Sequence, residues 1–107
     1  MKTFEEQEAK GVKFSEDHKT LLRVPMDFSG EYEIPNGVTK IGNEAFSWCK
    51  NLTSINIPDS VTNIGEYAFS GCTNLTSANI SNRETEIEYG AFSDTPVEDQ
   101  FKDRYSK

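Results

Sequence analysis

Histidine, cysteine and tryptophan are scarce in this chain, which carries one His, two Cys and one Trp. A structural zinc centre takes four ligands drawn mainly from Cys and His, so this supply leaves one incomplete. His18 is the single imidazole, and no serine at nucleophile-elbow spacing accompanies it. A glycine-rich phosphate loop is absent as well, and the acidic residues are scattered rather than paired in an apolar setting that would set one carboxyl apart from another. The residues give catalysis no foothold, and neither a cofactor nor a metal is expected.

Long apolar runs are also missing. No stretch approaches the 18 residues of a membrane-spanning helix, and Met1 to Lys10 has no apolar segment of signal-peptide length. Read alone, the chain is expected to be soluble and untargeted, without membrane insertion, which leaves a cytoplasmic setting open. Basic residues are outnumbered 11 to 18, giving a net charge of −7. Nucleic acids and anionic membranes are engaged by clustered Lys and Arg that replace counterions, and no such cluster occurs, so neither is expected as a partner. The acidity sits in the flanks: residues 1–33 hold five Lys/Arg against eight Asp/Glu, residues 80–107 four against seven, and the middle two against three.

What the chain does have is a 23-residue phrase written twice, IPNGVTKIGNEAFSWCKNLTSIN over 34–56 and IPDSVTNIGEYAFSGCTNLTSAN over 57–79. Recurrence at such a period marks a solenoid whose units bury their apolar sides only by stacking. Ile34/Ile57, Val38/Val61, Ile41/Ile64, Ala45/Ala68, Phe46/Phe69, Cys49/Cys72 and Leu52/Leu75 are matched apolar pairs and form the inward set. The polar positions between them vary, as Lys40 against Asn63 shows, and point outward. In Leu52 to Ile57 the last three residues alternate with period two, the pattern of a strand with one buried face, and Pro58 ends it.

The phrase Leu-x-x-Ile-x-Ile-Pro, Val-Thr-x-Ile-Gly, Ala-Phe-x-x-Cys, carried here by Leu52, Ile55, Ile57, Pro58, Val61, Thr62, Ile64, Gly65, Ala68, Phe69 and Cys72, resembles the BspA-like leucine-rich repeats, also called the Treponema type. The resemblance covers Ile34 to Phe92 and extends more loosely to Phe14. It implies an α/β fold: a short right-handed leucine-rich repeat solenoid with a parallel β-sheet. It further implies secreted or cell-surface placement in a bacterium and a part in recognition or adhesion toward a host protein or glycan. A structural spacer that displays neighbouring domains is the alternative.

One domain spans 1–107. Residues 1–11 form a short N-terminal segment, with a helix expected over 4–10 from a capping box at Thr3 and Glu6 and a stop at Gly11. Val12–Ser15 and Thr20–Val24 should pair as a capping hairpin, with His18 in its turn because His tolerates left-handed backbone. Within 12–33 the hairpin is followed by the first solenoid strand, Glu31–Ile34, whose open edge the hairpin should cover. Repeats occupy 34–56, 57–79 and 80–95. The third keeps Ile80, Thr85, Ile87, Ala91, Phe92 and Ser93 in register, Thr85 matching Thr62, but loses the Cys. Residues 96–107 form a C-terminal cap: Thr95, Pro96 and Glu98 have capping spacing, and Val97, Phe101 and Tyr105 recur as on an amphipathic helix. An extended strand is the alternative there, since Phe101 is in register with Ile55 and Ala78.

Stacking places Ser54 beside Ser77 and Asn56 beside Asn79 on the strand face, with Glu31 and Glu33 extending both rows. These six residues are the candidate concave binding face. Trp48, where the next repeat has Gly71, is a candidate convex anchor, set against the simpler reading that its indole covers its own turn. Cys49 and Cys72 stack at about 5 Å between α-carbons, a spacing a disulfide permits. Parallel side chains favour two free buried thiols, with a disulfide or metal as alternatives. Asn51, Asn74 and Asn79 begin glycosylation acceptor patterns that arise from the repeat itself. A monomer is expected.

Overall fold

The computed structural model describes the backbone of residues 4–104 and the side chains of residues 4–101. In chain order the elements are helix α1 (Phe4–Ala9), strands β1 (Lys13–Phe14), β2 (Thr20–Arg23), β3 (Gly30–Glu33), β4 (Lys40–Ile41), β5 (Leu52–Ile57), β6 (Asn63–Ile64), β7 (Ser77–Ile80) and β8 (Glu86–Ile87), and a 3₁₀ helix (Glu98–Arg104). Parallel strands 23 residues apart pair residue for residue, Ile55 with Ala78 and Ile64 with Ile87. Period and strand register therefore agree.

Two parallel ladders run along the stack where one was anticipated. Strands β3, β5 and β7 make the main sheet, and β4, β6 and β8 make a second sheet of two-residue strands from the Thr-x-Ile segments. So short a strand leaves no alternation to read in the sequence. Between them, the Ala-Phe turns are also cross-linked: Glu44, Phe46 and Trp48 donate their N–H groups to the carbonyls of Glu66, Ala68 and Ser70 at 3.0, 2.7 and 2.8 Å. The stack is thus hydrogen-bonded on three sides of each turn.

The inward columns fill the space enclosed by these ladders, and every matched apolar residue from Val38 to Leu75 is fully buried. The aromatic column is the longest. Tyr32 meets Phe46 edge-on at 5.2 Å, Phe46 stacks on Phe69 at 4.7 Å, Phe69 on Phe92 at 5.0 Å, and Phe92 on Phe101 at 4.5 Å. Stacked rings one turn apart bury large apolar area with little rotamer freedom lost, which is what a narrow core needs.

The hairpin of β1 and β2 forms as expected, with His18 in its turn at φ 58°. Its placement differs from the expectation. Strand β2 pairs with β4 and extends the second sheet, so the hairpin leaves the edge of β3 uncovered. Helix α1 approaches that edge instead, through a hydrogen bond from the Tyr32 hydroxyl to Gln7 Oε1, both buried. Thr3 of the expected capping box lies outside the described residues.

The third repeat and the cap also depart from expectation. Thr85 does not repeat the exposed position of Thr62. Its side chain turns inward as Val61 does, and its hydroxyl donates to the Val61 carbonyl at 2.7 Å. Glu84 holds the valine position in sequence and would bring an unpaired charge into the core, so the neighbouring Thr fills the space with its polar atom satisfied. Thr95 does not cap a helix with its side chain. It occupies the Cys49/Cys72 column, and its hydroxyl donates to the Phe92 carbonyl at 2.7 Å. The chain then closes in a 3₁₀ helix rather than an α-helix or a strand, with Val97 and Phe101 buried against the last repeat. Tyr105, the third member of the expected stripe, lies outside the described residues.

Candidate partner-binding face

The outer surface of the main sheet is built by alternation. Tyr32, Ile55 and Ala78 point into the core, and the residues on either side of them point out. Pairing then sets Glu31 opposite Ser54 and Ser54 opposite Ser77, and Glu33 opposite Asn56 and Asn56 opposite Asn79. All six residues of the candidate face come together on one surface in two rows. Ser54 is half-buried and the other five are exposed. A shallow recess of about 220 Å³ at the C-terminal end of the strands is lined partly by Glu33, Asn56 and Asn79. Chemically this is a rigid array of amides, hydroxyls and two carboxylates. It can exchange hydrogen bonds with a polar partner.

Trp48 is 53% exposed, and its indole lies against the backbone of Gly71 in the next repeat. The same relation recurs one repeat on, where the ring of Tyr67 lies against Gly90 and meets Tyr89 edge-on at 5.7 Å. Tyr67 and Tyr89 escaped the sequence reading because neither has an aromatic equivalent in the first repeat. A repeat consensus hides what is special to one copy.

Cys49 and Cys72 are free and buried. The Cys72 thiol donates to the Phe46 carbonyl at 3.0 Å. The neighbouring Cys49 sulfur, reinforced by burial, pushes the Cys72 pKa far above the ordinary thiol range. Among the described residues, no three His, Cys, Asp or Glu side chains gather as a metal site would require.

Sequence comparison decides the family. The model of the BspA type leucine rich repeat region, six copies in its description, matches residues 29–101. The chain belongs to the BspA-type leucine-rich repeat family. Among solved structures, a leucine-rich repeat protein of Treponema pallidum is similar, with 26% identity and a TM-score of 0.66 over 80% of this chain. The chain spans 44% of that protein's length. No curated protein matches it. BspA-type membership assigns the repeat phrase and the fold together, and leucine-rich repeats of this kind serve as interaction modules.

Proposed function

We propose that this BspA-type unit is a non-catalytic recognition module that binds a protein or glycan through the outer face of its main sheet, as part of a bacterial cell-surface or secreted protein. The observation that carries the reading is the strict pairing of Glu31, Ser54 and Ser77 and of Glu33, Asn56 and Asn79. Side chains on paired strands are held in place before a partner arrives, so little entropy is lost on binding. Three strands present less than the roughly 800 Å² per partner of a stable protein interface, so a single unit binds weakly and gains from neighbours in a longer array. The competing reading is a structural spacer that displays neighbouring domains without a ligand of its own.

An array of host glycans and extracellular proteins, probed with the purified protein, tests the assignment. Ligands held by the wild type should be lost by Asn56→Arg/Asn79→Arg and kept by Lys40→Glu/Lys50→Glu, which lie outside the main sheet. The reverse pattern moves the site to the convex side, to Trp48. An empty array, repeated with a tandem of several such units, favours the spacer.

A further inference from the structure

The outer edge of β3 differs from that of every other strand in the main sheet. Gly30 donates its N–H to the Asn51 carbonyl at 2.9 Å and Ile34 to that of Asn56 at 3.2 Å, so Gly30, Tyr32 and Ile34 direct their backbone polar groups toward β5. By alternation, Glu31 and Glu33 direct theirs away from the sheet. Among the described residues β3 has no second strand partner, and α1 reaches it through side chains alone. At the opposite end, the outer edge of β7 is partly closed, since the Gln100 amide donates to the Ala78 carbonyl at 3.3 Å. An uncovered strand edge is a template for another strand.

Beside this edge lies a recess of about 250 Å³. That is below the roughly 300 Å³ at which small-molecule pockets begin, so it suits one side chain rather than a cofactor. Its lining is apolar along Pro25, Phe28 and Tyr32, and Phe28 and Tyr32 meet edge-on at 5.2 Å. Three carboxylates, Asp27, Glu31 and Glu33, share it with one ammonium, Lys10. Aromatic faces with an excess of negative charge favour a cation that has an apolar stem.

We propose that β3 accepts an extended peptide segment as a fourth strand of the main sheet, and that a lysine or arginine of this segment enters the recess. The inference rests on the recognition reading above and names the chemistry of the partner at one margin of the same face. Main-chain bonds to Glu31 and Glu33 supply sequence-independent affinity, and the recess supplies selectivity, the division of labour usual when a peptide adds to a sheet. The glutamates work in two ways. As cross-strand neighbours of an added residue they favour a basic one, and they repel acidic strands, including a second copy of this acidic chain aligned on the same edge.

The test uses the whole protein with acetyl-Thr-Val-Thr-Arg-Thr-Val-Thr-amide, its analogue with Glu in place of Arg, and an analogue with Pro on both sides of the Arg. The Arg peptide should shift the Glu31 and Glu33 amide resonances saturably and slow their exchange at least tenfold. Both analogues, and the Arg peptide with Asp27→Lys protein of unchanged circular dichroism, should bind at least tenfold more weakly. Equal binding of the Arg and Glu peptides overturns the assignment of the recess. Equal binding of the Pro analogue overturns strand addition in favour of simple charge attraction. Shifts confined to the Asn56 and Asn79 amides overturn the edge proposal while leaving recognition by the sheet face standing. No shift at any amide overturns the proposal alone, since the recognition reading fails separately, on an empty ligand array.

Discussion

The ring of Phe101 stacks on that of Phe92, with centroids 4.5 Å apart and planes inclined by 25°. Phe101 is 3% exposed although it belongs to a 3₁₀ segment outside the repeat pattern. It covers the end of the aromatic column, where an exposed Phe92 would invite association. Phe101→Ala should therefore cost about 3 to 5 kcal/mol by urea unfolding, the usual range for a buried Phe. Amide exchange should rise first in β7 and β8, and light scattering should show more self-association than in the wild type.

Phe69→Ala addresses the middle of the same column. Phe69 stacks between Phe46 and Phe92 with planes inclined by 13° and 3°. Its loss removes contacts from two neighbours at once, and repeats stable only through their interfaces unfold together. A cost of about 3 to 5 kcal/mol is expected, with faster exchange across residues 34–92 as a unit. Loss of protection confined to residues near 69 would contradict the stacked core.

Much of this was legible in the sequence because the 23-residue period fixes which residues are neighbours. Ile55 over Ala78 and Asn56 beside Asn79 come from counting, and so did the candidate face. The parts that escaped are local. Strands β4, β6 and β8 are two residues long and carry no pattern of their own. Thr85 replaces a valine because Glu84 cannot be buried, a choice visible only once Val61 is seen to be fully inside. The recess beside β3 draws on Gln7, Pro25 and Phe28, which lie before the repeats begin, so no internal copy marks them.

The thiols provide a test in solution. Both should titrate as free groups in denatured protein prepared without oxidant, and both should react slowly in the native state. In the unfolded chain Cys72 loses its proton near about pH 8.5. The folded protein holds that proton because Cys49 and burial raise the pKa. Above about pH 8.5 the native state therefore binds more protons than the unfolded one, so this contribution to stability is complete below that pH and declines as pH rises. The urea midpoint should fall over that alkaline range, and the fall should be smaller in Cys72→Ala.

Gly71 has φ 81°, and a β-carbon built on it meets Cε3 of Trp48 at 2.5 Å. Gly71→Ala should lower stability by more than about 1 kcal/mol, from backbone strain and the displaced indole together. Tryptophan emission should shift to the red as the ring is lifted into water. The double change Trp48→Ala/Gly71→Ala separates the two terms. If the indole contributes, the double variant is less damaged than the sum of the single ones.

The pairing of Trp48 with Gly71, and of Tyr67 with Gly90, gives the array a reading direction. Each large ring in one turn depends on a notch at the backbone of the next, so the units are keyed to their order rather than interchangeable. A tandem duplication of residues 34–56 would set Trp48 against a second tryptophan where a glycine is needed. Growth of such an array by copying whole units is therefore constrained at this site, and a lengthened version would carry a glycine in each turn that comes after a ring.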